Sequence, residues 1–235
     1  MRASTGSNQL LFETEDVRSR LVDGRTILLD IPAGDYVVFD RTATAMWEVL
    51  RTLPPARRVD ALQVRFNAPR DRLAVDLDAF EQLCCSRGFL STAAHEGAPR
   101  APLRRWPRRA WTLRAWWALA ATTVALHRNG FASVYRAGAL LPQRANAPID
   151  EAALDRAERA FLRAENFFAL KTAPKDCLPR SLALYRFLTS IGFRAEHCIG
   201  VMRYHFEAHA WVRCGDRLVL DSPEFVARYT VLARM

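Results

Sequence analysis

The sequence predicts an α+β protein of two domains. Strand-like alternation between Val17 and Phe39 gives way to three helical patterns that end at Gly88. Ala93–Arg109 then carries three prolines, one glycine and clustered arginines, and reads as a linker. After Trp111 the helical patterns come first and the short strands last. These breaks place an N-terminal domain at 1–92, a linker at 93–109 and a C-terminal domain at 110–235.

In the first domain, Arg25–Asp30 reads as a strand, Pro32–Asp35 as a turn and Tyr36–Phe39 as the next strand. Asp40 suits a helix N-cap, because its carboxylate can accept from a free N–H of the first turn. Ala43, Met46, Trp47 and Leu50 recur at i, i+3, i+4 and i+7 and give the first helix one apolar face. Pro54–Pro55 ends it. A second helix fits Val59–Phe66. A third runs from about Pro69 to Arg87, with Leu73, Leu77, Phe80 and Cys84 on one side and Gly88 closing it. Strands followed by three helices make a winged-helix-like unit. The arginines at 100, 104, 105, 108 and 109 read as a solvated hinge or as a contact for a partner.

In the second domain, Leu113, Trp116, Trp117, Ala120 and Val124 share a helix face, and the sequence reads as a buried helix closing near His127. Asp150 caps another helix whose inner face holds Leu154, Ala157, Phe161 and Leu162. A helix then opens at Cys177 and carries Leu184, Phe187, Leu188 and Ile191 on one face. Glu196–Tyr204, Ala208–Cys214 and Arg217–Asp221 follow as three strands of a meander, with Gly215–Asp216 as a tight turn.

Half of the residues are hydrophobic, which makes a core-forming protein. The net charge is +9, almost all of the basic residues are Arg, and they are spread along the chain. The cysteines number five, with no C-x-x-C pair, which argues against a disulfide framework and a structural zinc site. The polar start at Met1–Asn8 lacks a secretory core, and Ala115–Leu126 is too short to span a bilayer. The expectation is a cytoplasmic protein with reduced thiols.

The chemistry centres on Asp176-Cys177-Leu178-Pro179-Arg180. Pro179 fits the first turn of a helix, so Cys177 stands at a helix N-terminus, where partial positive charge favours thiolate. His209 lies on one later strand, with Trp211 on the same side by alternation, and Asp221 ends another. The order Cys, His, Asp is the nucleophile, base and orienting-acid arrangement of a thiol hydrolase or acyltransferase. The residues alone leave two readings open: this triad, or a small buried cysteine with a structural histidine. Asp216 on the neighbouring turn stands as the alternative acid.

His205 and His209 are four apart but on strand and loop, with no third ligand, so no metal is assigned. No glycine-rich phosphate loop occurs, and no cofactor is expected. Asp71, Asp76, Asp78 and Glu81 make the third helix acidic, which argues against duplex DNA.

Cys177–Tyr185, Ala208–Val212 and Leu220–Ser222 together closely resemble the lasso-peptide biosynthesis B proteins, which look like members of the transglutaminase-like superfamily. Gly34–Asp40, leading into Thr42, Ala43 and Trp47, is similar to a PqqD-like recognition element. The chain therefore resembles the fused form, with recognition element and cysteine peptidase in one polypeptide. The resemblance implies a leader peptidase. Cys177 would attack the leader–core bond, His209 would serve as base and then acid, and Asp221 would orient His209. It implies that the precursor's leader adds as a strand beside Tyr36, Val37, Val38 and Phe39, against the third helix with its Leu73, Leu77 and Phe80. It also implies a separate ATP-dependent cyclase as partner. The Cys177 N–H is the natural oxyanion donor; a second donor stays unassigned. A thiol acyltransferase or amidase on the same fold, and a non-enzymatic peptide-binding module, are the competing readings.

Overall fold

The computed structural model describes residues 10–93, 110–142, 149–167 (Phe167 by its backbone only) and 176–235. The expected linker, but for Ala93, lies outside the described residues, as do His95 and the Lys171–Pro174 turn. The chain divides into two compact units, Met1–Gly97 and Ala98–Met235.

The first unit holds β1 (Phe12–Glu13), β2 (Val17–Val22), β3 (Arg25–Asp30), β4 (Asp35–Val38), α1 (Arg41–Thr52), α2 (Pro55–Arg65), α3 (Arg70–Ser86) and β5 (Leu90–Ser91). β2, β3 and β4 form an antiparallel sheet in that order, so β4 is an edge strand; β1 pairs with β5. The central strand is buried without alternation from Thr26 to Leu29, so both of its faces are covered. Asp40 caps α1 by accepting from the Ala43 N–H at 2.8 Å. Met46, Trp47 and Leu50 face the core with Leu28, Phe39, Leu62, Leu73 and Leu77. α2 begins at Pro55, earlier than the apolar pattern indicates, because proline suits the first helical position. Buried Arg58 ties the three helices together: it donates to the carbonyls of Leu50 and Leu53 and pairs with Glu81 at 2.9 Å. Gly88 closes α3 at φ 71, in the left-handed region that glycine occupies without penalty.

The second unit holds α4 (Trp111–Ala139), α5 (Glu151–Phe167), α6 (Cys177–Ser190), β6 (Ala195–Met202), β7 (Glu207–Cys214), β8 (Arg217–Val219), α7 (Pro223–Val226) and β9 (Thr230–Arg234). Its sheet is antiparallel in the order β8-β7-β6-β9. The expected meander gains a fourth strand: β9 pairs with β6, from Val201–Thr230 to Cys198–Arg234, with one register shift. The α6 face of Leu184, Phe187 and Leu188 packs into one core with Leu154, Phe161, Val212 and Val219.

α4 departs from expectation twice. It does not close near His127 but continues to Ala139, kinked at Gly130 (φ 72). Its buried seam is Trp111, Ala115, Ala118 and Thr122, whereas Leu113, Trp117 and Val124 face outward. Small residues let neighbouring helices approach closely, so they took the inner face. Leu162 of α5 is likewise exposed rather than inward.

Candidate active site

Cys177 is the first residue of α6, after Asp176 in extended conformation (φ −69, ψ 95). The helix is fixed on both sides of this turn. Arg180 forms a two-pronged ion pair with Glu165 of α5, at 2.6 and 3.2 Å. The Ser181 hydroxyl donates to the Leu178 carbonyl at 3.1 Å and lies 2.9 Å from Nε2 of buried His197 on β6. If that hydroxyl's proton serves Leu178, then His197 donates from Nε2.

His209 reaches the thiol from β7. Its Nε2 lies 3.0 Å from Oδ1 of Asp221. A carboxylate only accepts, so Nε2 carries the proton and Nδ1 is left for Cys177, with which His209 is hydrogen-bonded. β8 pairs with β7 only over Val212–Cys214. The β7 edge at Ala210 is therefore not taken by β8, and the Ala210 N–H donates to the Cys177 sulfur.

The electrostatics favour an ion pair. Burial opposes ionisation of Cys177, but hydrogen bonds from His209 and the Ala210 N–H, with the imidazolium charge, outweigh it and bring the thiol pKa below its ordinary value. The hydrogen bond to Asp221, then that to Cys177, hold His209 at about 9. The other cysteines behave oppositely. Burial pushes Cys84 and Cys214 up to about 12 and Cys198 to about 11, and Cys85 is also raised. All five thiols are free.

Two backbone features aim these groups. Leu220 sits at φ 62, a left-handed conformation that costs a non-glycine residue about 1–2 kcal/mol. It turns the chain out of β8 immediately before Asp221, and its side chain packs against the core. Gly200 pairs with His209 across β6 and β7. Trp211 stacks on the imidazole (5.9 Å, 16°), Phe225 meets it edge-on at 5.0 Å, and Tyr229 lies at 5.4 Å. The Tyr229 hydroxyl donates to Glu207 at 2.7 Å. The faces of Trp211 and Tyr229 beside an imidazolium favour its charged form.

Asp216 does not reach His209; it is fully exposed and pairs with Arg213 at 3.1 Å. His205 stands exposed at the β6–β7 tip. Among the described residues, no group of three or more His, Cys, Asp or Glu side chains is placed to hold a metal.

Residues 116–234, a little over half of the chain, match the family model described as Transglutaminase-like superfamily. The chain belongs to the transglutaminase-like superfamily. Residues 25–90 match the family described as Coenzyme PQQ synthesis protein D (PqqD). The Microcin J25-processing protein McjB of Escherichia coli is 35% identical over 68 residues, a stretch covering 29% of this chain and 33% of that protein. The chain thus matches about a third of the length of its curated relative. A solved structure, TbiB1 in Complex with the TbiA(beta) Leader Peptide, is 24% identical and covers 35% of this chain and 98% of that one. Its TM-score is 0.32. The two families in this order, with the McjB relative, bear out the resemblance to fused lasso-peptide B proteins.

In the transglutaminase-like unit, sequence reasoning missed Gly200, Leu220, Phe225 and Tyr229. The only available signal was the aromatic content following Asp221. In the PqqD-like unit, Tyr36, Val37 and Val38 lie on the β4 edge strand, with Val38 44% exposed. Leu73, Leu77 and Phe39 are buried, and Phe39 packs against Trp47 and Phe80. Their side chains share one core with Leu28 of β3 and Leu50 of α1.

Proposed function

We propose that the chain is a leader peptidase of lasso-peptide biosynthesis, holding a precursor's leader on the PqqD-like unit and cutting the leader–core bond with the transglutaminase-like unit. One observation supports this most: of five cysteines, only Cys177 has its thiol pKa lowered, and its partner His209 is held by Asp221. McjB, described as a processing protein, fits the same reading.

In this mechanism the Cys177 thiolate attacks the scissile carbonyl carbon. The carbonyl electrons move to oxygen, which the Cys177 N–H at the α6 terminus is suited to receive. Collapse breaks the C–N bond, and the His209 imidazolium gives its Nδ1 proton to the departing amine of the core. A thioester to the leader remains. Neutral His209 then takes a proton from water, hydroxide adds to the thioester, and collapse releases the leader acid and restores the thiolate–imidazolium pair. Asp221 keeps its charge and holds Nε2–H throughout. The leader would bind as a strand on the free edge of β4.

The test is incubation of the cognate precursor with wild type and Cys177→Ala, read by mass spectrometry with and without the cyclase. Wild type is expected to release leader and core, while the variant binds the precursor uncut. Equal cutting by both overturns the role of Cys177. No cutting by either, even with the cyclase, overturns the peptidase reading. The product formed in buffer alone separates hydrolysis from transfer, because a hydrolase turns the thioester over to the leader acid whereas an acyltransferase needs an added amine acceptor to turn over.

A further inference from the structure

One short arm of chain delivers three groups to His209. Asp221 bonds Nε2 at 3.0 Å, α7 brings Phe225 edge-on at 5.0 Å, and the chain returns to β9 with the Tyr229 ring 5.4 Å from the imidazole. Leu220 anchors the near end of this arm in the core. In between, α7 is a single turn whose outer residues, Pro223, Glu224, Ala227 and Arg228, are exposed.

The far end of the arm is strapped to the strand that carries His209. The Tyr229 hydroxyl donates to Oε1 of Glu207 at 2.7 Å. Glu207 lies two residues before His209 on β7, so both side chains leave the same face of the sheet. To reach Glu207 from β9, the Tyr229 ring has to cross β6. It crosses at Gly200, where a Cβ would stand only 3.0 Å from the Cβ of Tyr229. The ring that makes this crossing is buried, and it is the hub of the aromatic group: its centroid lies 5.4 Å from Phe225 and 6.4 Å from Trp211. A hydroxyl bonded to a carboxylate makes a strong, short contact, so the tilt of this ring is set from Glu207.

We infer that Glu207 is a positioning residue: by accepting from Tyr229 it fixes the ring that holds the His209 imidazole with Nε2 on Asp221 and Nδ1 on Cys177. A hydrogen bond weakens steeply as its angle opens, so a small rotation of the imidazole costs both contacts at once. The charges acting on His209 are those of Asp221 and Cys177, and Arg228, over the Phe225 ring at 5.7 Å, is the cation of the arm. Glu207 therefore acts on the imidazole through the Tyr229 ring and not through its own charge. The inference rests on the reading of Cys177, His209 and Asp221 as nucleophile, base and orienting acid.

The experiment compares the full chain with Glu207→Ala, Tyr229→Phe, the combination of the two, and Glu207→Gln. His209 is titrated by NMR, and alkylation of Cys177 by iodoacetamide is followed against pH by mass spectrometry. Glu207→Ala and Tyr229→Phe should each lower the His209 pKa and slow alkylation at pH 6 about tenfold, the effect of one unit in the thiol pKa. The combined variant should be no slower than either single one, because both remove the same bond. Glu207→Gln keeps an acceptor for Tyr229 and should restore the wild-type profile. Urea unfolding confirms that each variant is folded. Variants that lose stability while both titrations stay as in wild type overturn the inference. A Glu207→Gln profile equal to that of Glu207→Ala also overturns it, by assigning the effect to charge. An ordinary His209 pKa in wild type would instead overturn the triad reading itself, which a raised value unmoved by Glu207→Ala would leave standing.

Discussion

A Cβ placed on Gly200 would meet the Trp211 indole at 2.6 Å, on the strand pair that carries His209. The indole is buried and stacked on the imidazole, so it has nowhere to yield. We expect Gly200→Ala to lose about 1–3 kcal/mol, the range for overpacking a filled core. Urea unfolding measures that loss, and the NMR titration of His209 in the same variant should show a lowered pKa as Trp211 and Tyr229 are pushed off the ring.

Removing the carboxylate should remove the elevated basicity. In Asp221→Asn, the His209 pKa is expected to fall from about 9 toward its ordinary 6.5. The Cys177 thiol then rises, and its alkylation by iodoacetamide at pH 6 slows about tenfold for each unit of that rise. Asp216→Asn should leave both readouts unchanged. Because folding raises the His209 pKa, the stability it contributes is complete below 6.5 and disappears as pH climbs through about 9. That alkaline decline should be shallower in Asp221→Asn.

His197 acts in the opposite direction. It is fully buried, and burial holds its pKa at about 3. A depressed histidine stabilises the fold fully above its unfolded value near 6.5. The contribution declines as pH falls from there toward 3, by up to about 1.4 kcal/mol per pH unit. His197→Gln, which keeps a side-chain partner for Ser181, should flatten the acid limb of the stability–pH curve relative to wild type in chemical denaturation. An unchanged limb would show that His197 is not the titrating group.

The edge strand gives a binding prediction separate from the chemistry. Val38→Asp should weaken leader binding about fivefold, the scale of one lost cross-strand pair. Calorimetry with a synthetic leader peptide checks it. Cys177 alkylation should be unaffected in this variant, since the two sites lie in different units.

Much of the site was legible where chemistry depends on neighbours in sequence. Asp40 and Asp150 announce their helices by local capping, and Pro179 marks the start of α6 behind Cys177. His209 and Trp211 share a face by strand alternation alone. What was illegible depends on distant chain. β9 is set by pairing with β6, roughly thirty residues earlier, a contact that no local pattern encodes. Leu220 carries a left-handed backbone without glycine or asparagine to announce it. On α4 bulk does not mark burial: Leu113, Trp117 and Val124 face outward and the packed seam is built from Ala115, Ala118 and Thr122. Leu73 and Leu77, by contrast, are buried as their helical spacing indicates.

The contrast among the five thiols has a practical reach. Cys84, Cys85, Cys198 and Cys214 are all held toward the protonated thiol while Cys177 alone is shifted toward thiolate, so one sulfur in the chain is favoured as nucleophile without any cysteine being replaced. An electrophile carried on a leader peptide would mark that sulfur stoichiometrically. It would count competent molecules in a preparation.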